Sequence, residues 1–183
     1  MKLKPLDVIR FIVIILILLH VNIVNNSSAQ DVTDADIKAI LFFKFSGYVK
    51  WPPEITINNS KTIECCVMGT GHLSQLLLNY DAKQMMNRTV HSTQVSNPDT
   101  LTGCHILFVS SSEKKKQSQI FKAISGKPIL TVGDFKGFSK NGGGIINFIR
   151  KKDTVHFEIN PENAKRAGLK ISSKLLRLSK IVK

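Results

Sequence analysis

The sequence predicts an α/β domain with a mostly parallel central sheet flanked by helices and an antiparallel hairpin near the C-terminal part. Three observations carry this prediction. Short apolar strand runs alternate with helical segments through the middle of the chain, the pattern of parallel strands joined by crossover helices. Two further runs, Ile145 to Ile149 and Thr154 to Ile159, are separated only by a tight turn at Lys151-Lys152-Asp153, which marks a hairpin. No internal repeat or low-complexity tract breaks the pattern.

The chain opens with Lys2, Lys4 and Arg10 against a lone Asp7, followed by an apolar run from Phe11 to Leu19 and a polar stretch, Asn25 to Ala29. That order is the one of a secretory signal, with cleavage after Ala29 and Ser27 at −3. A retained anchor is the competing reading, but a spanning helix needs roughly 20 apolar residues and the run barely approaches that. Residues 1–29 are therefore read as a signal peptide and residues 30–183 as a single exported domain. Losing three basic residues and one acidic residue with the signal lowers the formal charge from +13 to +11. Such a charge suits phospholipid head groups or acidic protein faces, and export argues against nucleic acid.

Asp31 to Val49 reads as the first helix, with Ile37, Ile40, Leu41, Phe45 and Tyr48 on one face and Asp31, Thr33 and Asp34 as capping candidates. Trp51-Pro52-Pro53 stops it. Thr62 to Met68 is a buried strand, Leu73 to Tyr80 a helix, Thr89 to Val95 a more exposed strand and Cys104 to Val109 a second buried one. Ser110 and Glu113 have the spacing of a capping box for a helix ending near Ile124. Pro128 to Val132 is the next strand, and Gly133 to Gly144 is a glycine-rich loop holding Phe135 and Phe138. After the hairpin, Asn160-Pro161 opens a short helix to about Ala167, and a last helix runs from Ile171 to the end.

Cys65, Cys66 and Cys104 all lie in the exported part, so one disulfide and one leftover thiol are expected. Neighbouring residues on a strand face opposite sides, so only one of Cys65 and Cys66 can approach Cys104 if the two strands adjoin. The same alternation argues against a metal site at Cys65, Cys66, Cys104 and His105, as does the lack of zinc-type spacing. Gly69-Thr70-Gly71 sits where a dinucleotide loop would, but the third glycine of that fingerprint is replaced by Ser74. His72, His91, His105 and His156 belong to no zinc or hydrolase motif, and no G-x-S-x-G elbow is present. No cofactor, metal or catalytic residue is expected. In the last helix, Ile171, Leu175, Leu178 and Val182 form an apolar stripe between Lys174, Arg177, Lys180 and Lys183. That arrangement suits a basic amphipathic surface for a membrane or an acidic partner, or a terminal helix packed on the sheet.

The blocks "FSGYVKWPP" (Phe45–Pro53), "CCVMG" (Cys65–Gly69), "GCHILFVS" (Gly103–Ser110), "KPILTVGDFKGFSKNGGGIINF" (Lys127–Phe148), "VHFEIN" (Val155–Asn160) and "AGLKISSKLLRLSKIV" (Ala167–Val182) resemble, in this order, the YfiR-like periplasmic proteins. The resemblance implies an exported, homodimeric regulator, not an enzyme. It would restrain a membrane-bound diguanylate cyclase, or another sensor, through the partner's periplasmic part; the basic C-terminal segment adds peripheral membrane contact as a further expectation. A small-ligand-binding module serving a transporter or sensor kinase is the alternative. The family's first cysteine pair corresponds to Cys66 and Cys104, a second pair near "GGGIINF" is missing here, and Cys65 is extra and available for pairing between chains. Glu158 and Arg166 are expected to form an ion pair at a dimer or partner surface. Phe135, Phe138, Lys174 and Arg177 are further candidates for that surface, the two phenylalanines alternatively forming a lid on the core.

Overall fold

Parallel strands in the middle of the chain build one sheet, and its alternating side chains feed two separate apolar layers. The computed structural model describes residues 32–55, 60–140, 142–152 and 154–183. The expected signal segment, residues 1–29, lies outside the described residues.

The first helix, α1, spans Asp34–Ser46, shorter at both ends than its sequence pattern suggests. Thr33 caps it in a full capping box, its side chain accepting from the Asp36 N–H while Asp36 accepts from the Thr33 N–H at 2.9 Å. The helix closes at Gly47 because Val49–Lys50 (β1) pairs antiparallel with Lys170–Ile171 (β9) instead of extending it. Its inward face is also not the expected one. Ala39, Phe42, Phe43 and Ser46 form the buried stripe, joined by Phe45, whereas Ile37, Ile40 and Tyr48 are exposed. The helix is apolar on nearly every side, so periodicity alone does not choose between the two stripes.

The main sheet has eight strands in the order β10-β8-β7-β6-β5-β2-β4-β3. These are β2 (Thr62–Met68), β3 (Gln84–Met85), β4 (Arg88–Val95), β5 (Ile106–Val109), β6 (Leu130–Gly133), β7 (Ile146–Lys151), β8 (Thr154–Ile159) and β10 (Lys180–Ile181). Strands β4, β2, β5, β6 and β7 run parallel, and β7 and β8 form the expected antiparallel hairpin with Phe148 opposite Phe157. Crossovers are α2 (His72–Leu78) and α3 (Gln117–Ala123), the latter preceded by a 3-10 segment, Ser111–Lys116. Ser110 caps that segment, while Glu113 pairs with Lys116 at 3.0 Å instead of reaching back to complete a box.

Alternation divides the core. Ile63, Cys65 and Val67 of β2, with Ile106 and Phe108 of β5, face α1 and α2. Cys66, Met68, Leu107 and Val109 face the opposite side, where they pack with Ile120, Ile124, Phe135 and Phe138. Both faces of the central strands are thus covered, as a parallel sheet requires.

The C-terminal segment departs most from expectation. The short helix opened by Asn160-Pro161 is observed as α4 (Pro161–Arg166), but β9, a five-residue helix α5 (Ser173–Arg177) and β10 stand in place of the last helix expected from Ile171 to the end. Ser172 caps α5, β9 pairs with β1, and β10 pairs in parallel with β8. The proposed apolar stripe is broken: Leu175 and Val182 are buried, but Leu178 is 71% exposed. The helical spacing is real, yet two strand edges offer partners that a continued helix would forfeit.

Candidate functional site

Three features carry chemistry: the disulfide, a buried polar network under the glycine-rich loop, and a crevice at the carboxyl ends of the strands. The bridge joins Cys66 on β2 to Cys104 just before β5, with a Cα–Cα distance of 5.8 Å. The parallel register of β2 and β5 brings the two together, since Cys65 aligns with Ile106 and Cys66 with Leu107. Cys65 lies on the other face, 1% exposed. Burial pushes its thiol pKa up to about 12, and a Ser92 hydrogen bond offsets only part of this. The expectation that Cys65 pairs between chains therefore fails: its sulfur is neither accessible nor ionised. His105, beside the bridge, is buried and accepts a hydrogen bond from the Glu64 N–H on Nδ1 at 2.9 Å. Desolvation by burial lowers its pKa, so the ring is held neutral.

Glu158 does not meet Arg166. It is 5% exposed and turned under the glycine-rich loop, where its Oε1 accepts from Ser139 Oγ at 2.7 Å and from Asn147 Nδ2 at 3.3 Å. Arg166 donates instead to Asn163 Oδ1, and Asn163 holds the loop through the carbonyls of Ser139 and Gly144. The alternation of β8 accounts for the difference, because it places Glu158 beside Asn147 of β7. Phe138 is fully buried and Phe135 nearly so, each in edge contact at 5.2 Å. They form a lid over the second core, with Phe121 against Phe138, and are not an exposed patch. The lid rests on glycine: an added Cβ at Gly144 would run into the Phe138 carbonyl, and one at Gly133 into its ring. Lys174 and Arg177 are exposed on α5. Beside the loop, Glu158 closes a cleft of about 490 Å³ whose rim holds Lys136, Lys140, Arg150 and Lys180.

The crevice lies where β2 and β5 end. Its walls come from the Gly69–Gly71 turn, Ser110 and Ser111, the N-terminal half of α1, Asp134 after β6 and Arg150 of β7. Gly69 adopts φ +90° and lies so close to Ser110, Ser112 and Glu113 that a side chain has no room there. Lys38 bonds both carboxylate oxygens of Asp134 at 3.0 Å, and Arg150 pairs with Asp34 at 3.3 Å. Sequence reasoning missed these pairs, whose members are 96 and 116 positions apart and carry no local signal.

A family model described as YfiR/HmsC-like matches residues 35–180. The chain belongs to the YfiR/HmsC-like family. Members of this family are regulators of a diguanylate cyclase that act in the periplasm, not enzymes. The matched span of this YfiR/HmsC-like chain runs from α1 to β10 and includes both bridged cysteines. Among solved structures, it is similar to the ABC domain in complex with L-Trp from Streptococcus pneumonia, with a TM-score of 0.56 and 10% identity. The alignment covers 79% of this chain and 62% of that one, so this chain spans less than two thirds of its relative, and the likeness is one of fold.

Proposed function

We propose that this protein is an exported, homodimeric regulatory protein that restrains a membrane-bound diguanylate cyclase or sensor through the partner's periplasmic part. Family membership across residues 35–180 is the observation that carries the reading. The Cys66–Cys104 bridge supports the compartment, because such bridges persist where conditions are oxidising. Lys174 and Arg177, exposed on α5, add positive charge to that of the basic rim around the Glu158 cleft. That rim complements an acidic face on the partner and lets the protein lie against anionic head groups.

Pull-down of the mature protein from solubilised membranes tests the reading. Recovery of a cyclase or sensor is expected, with cyclic-di-GMP rising when the gene is deleted. Unchanged cyclic-di-GMP together with an empty pull-down would refute it. Including a reductant asks a second question: release of the partner on reduction assigns a gating role to the Cys66–Cys104 bridge, and retention leaves the bridge purely structural.

A further inference from the structure

The C-terminal segment collects charge of one sign. From Asn163 to Lys183 the chain has seven basic residues and no acidic one. All seven are exposed, and none enters an ion pair among the described residues. The carboxylates that precede them are Glu162 on α4 and Glu158, which is 5% exposed and bonded to Ser139 and Asn147. Leu178, at 71%, is the most exposed large apolar side chain among the described residues, and Ile181 on the edge strand β10 is 48% exposed. Leu178 keeps helical φ and ψ at the end of α5, so at about 100° per residue Lys174, Arg177 and Leu178 share one side of that helix. Lys180 follows on β10 and lines the Glu158 cleft with Lys136 and Lys140.

A lone exposed leucine needs no explanation, but one set among uncompensated cations selects its occupant. A second copy would bring seven like charges against these seven, which is repulsive. An acidic protein would need a socket for Leu178, and it finds no alternation of sign here to fix its register. A fluid anionic bilayer needs neither. Lysine and arginine stems lie along it with their heads at the phosphates, while an apolar side chain enters the acyl boundary. Each cation near such a surface strengthens binding about fivefold, and burying a leucine side chain adds more than tenfold. The outer edge of β10 has no strand partner, and unpaired backbone groups are excluded from hydrocarbon, so the contact stays at headgroup depth. We propose that α5 and β10 form a peripheral membrane surface for anionic phospholipid, with Leu178 as the apolar anchor and Lys174, Arg177 and Lys180 as headgroup contacts. This surface rests on the membrane contact within the function proposed above, but it needs no cyclase.

Flotation of the purified mature chain with protein-free vesicles tests it. The probes are phosphatidylcholine vesicles with and without about 30% phosphatidylglycerol, in about 0.1 M salt. The chain is expected to float with the anionic vesicles and to stay behind with phosphatidylcholine alone. Leu178→Asp should weaken binding at least about tenfold, and Lys174→Ala with Arg177→Ala about 25-fold. Leu178 is so exposed that its substitution should leave the thermal midpoint unchanged, which separates lost contact from lost folding. Lys114→Ala with Lys115→Ala removes the same charge from the exposed segment after β5, four strands from β10 in the sheet, and should change binding less than about twofold. Failure to float with anionic vesicles would overturn the proposal, while recovery of a cyclase by pull-down would still stand. Equal losses from the two double substitutions would overturn it too, since net charge alone would then account for binding. So would binding indifferent to Leu178→Asp. Capture of a membrane protein through α5, with bare vesicles left unbound, would give the surface to an acidic protein instead.

Discussion

Cys65 and His105 are two buried residues whose titration the fold perturbs, and each gives a pH signature. Cys65 keeps its proton in the native state up to about pH 12, whereas the unfolded thiol loses it near 9.0. Between those values the unfolded chain binds fewer protons, so stability falls as pH rises. Urea midpoints measured from pH 8 to 10.5 should decline, and Cys65→Ala should flatten part of that slope. His105 has the opposite sense. Its native pKa lies below the ordinary 6.5, so the unfolded state binds the extra proton as the solution is acidified. The stability it contributes is complete above pH 6.5 and is lost as pH falls through the native value. His105→Asn, which retains an acceptor near Nδ1, should shallow the acid limb of a stability–pH curve. Alternation of the strand made the opposition of Cys65 and Cys66 legible in the sequence. The choice of Cys66 as the bridged residue came from the family blocks and not from alternation, which leaves open which helix layer each face of β2 meets. Glu158 shows the same limit: its place in an apolar strand was visible, but its partners Ser139 and Asn147 come from a loop and a neighbouring strand.

At the scale of elements, the strand–helix alternation and the hairpin were legible because each rests on a local period. The two helix misreadings share one physical cause. Alpha1 carries apolar residues on most sides, and tertiary packing, not periodicity, selects the Phe42–Phe43 face. The C-terminal segment has good helical spacing, but β8 and β1 hold open edges that its backbone completes, with the Val182 N–H donating to the Ile159 carbonyl at 2.9 Å. A substitution pair separates the continuous helix from the observed β9-α5-β10 arrangement. Leu175→Ala should cost about 2–4 kcal/mol, since Leu175 is 3% exposed, while Leu178→Ala, at 71% exposure, should stay within about 0.5 kcal/mol. Chemical denaturation of both variants measures this directly, and equal losses would restore the amphipathic stripe.

For the whole molecule, the bridge is the main covalent constraint, closing a loop between cysteines 38 positions apart. In the chain-entropy account such a closure contributes roughly 3–4 kcal/mol. Cys66→Ser with Cys104→Ser should lower the unfolding free energy by that order, seen as a reduced guanidinium midpoint with unchanged secondary structure. A dimer or partner surface would leave a weaker trace in a single sequence, since a surface that meets another molecule needs no internal period. Ordered family blocks did signal the regulator class, and the fold's wide separation of paired charges explains why the crevice did not announce itself.

The sheet that splits the core also separates the chain's sulfur chemistry. An unfolded chain with three cysteines has three ways to pair two of them. Exchange among those pairings needs a thiolate that attacks a disulfide in line. Once β2 lies between β4 and β5, the spare sulfur is protonated and stands behind the strand from the bridge it would have to attack. Scrambling is therefore confined to the time before the sheet closes. Any isomerase that corrects this chain acts on an early folding form, and the finished protein carries a reduced cysteine without the risk of reshuffling.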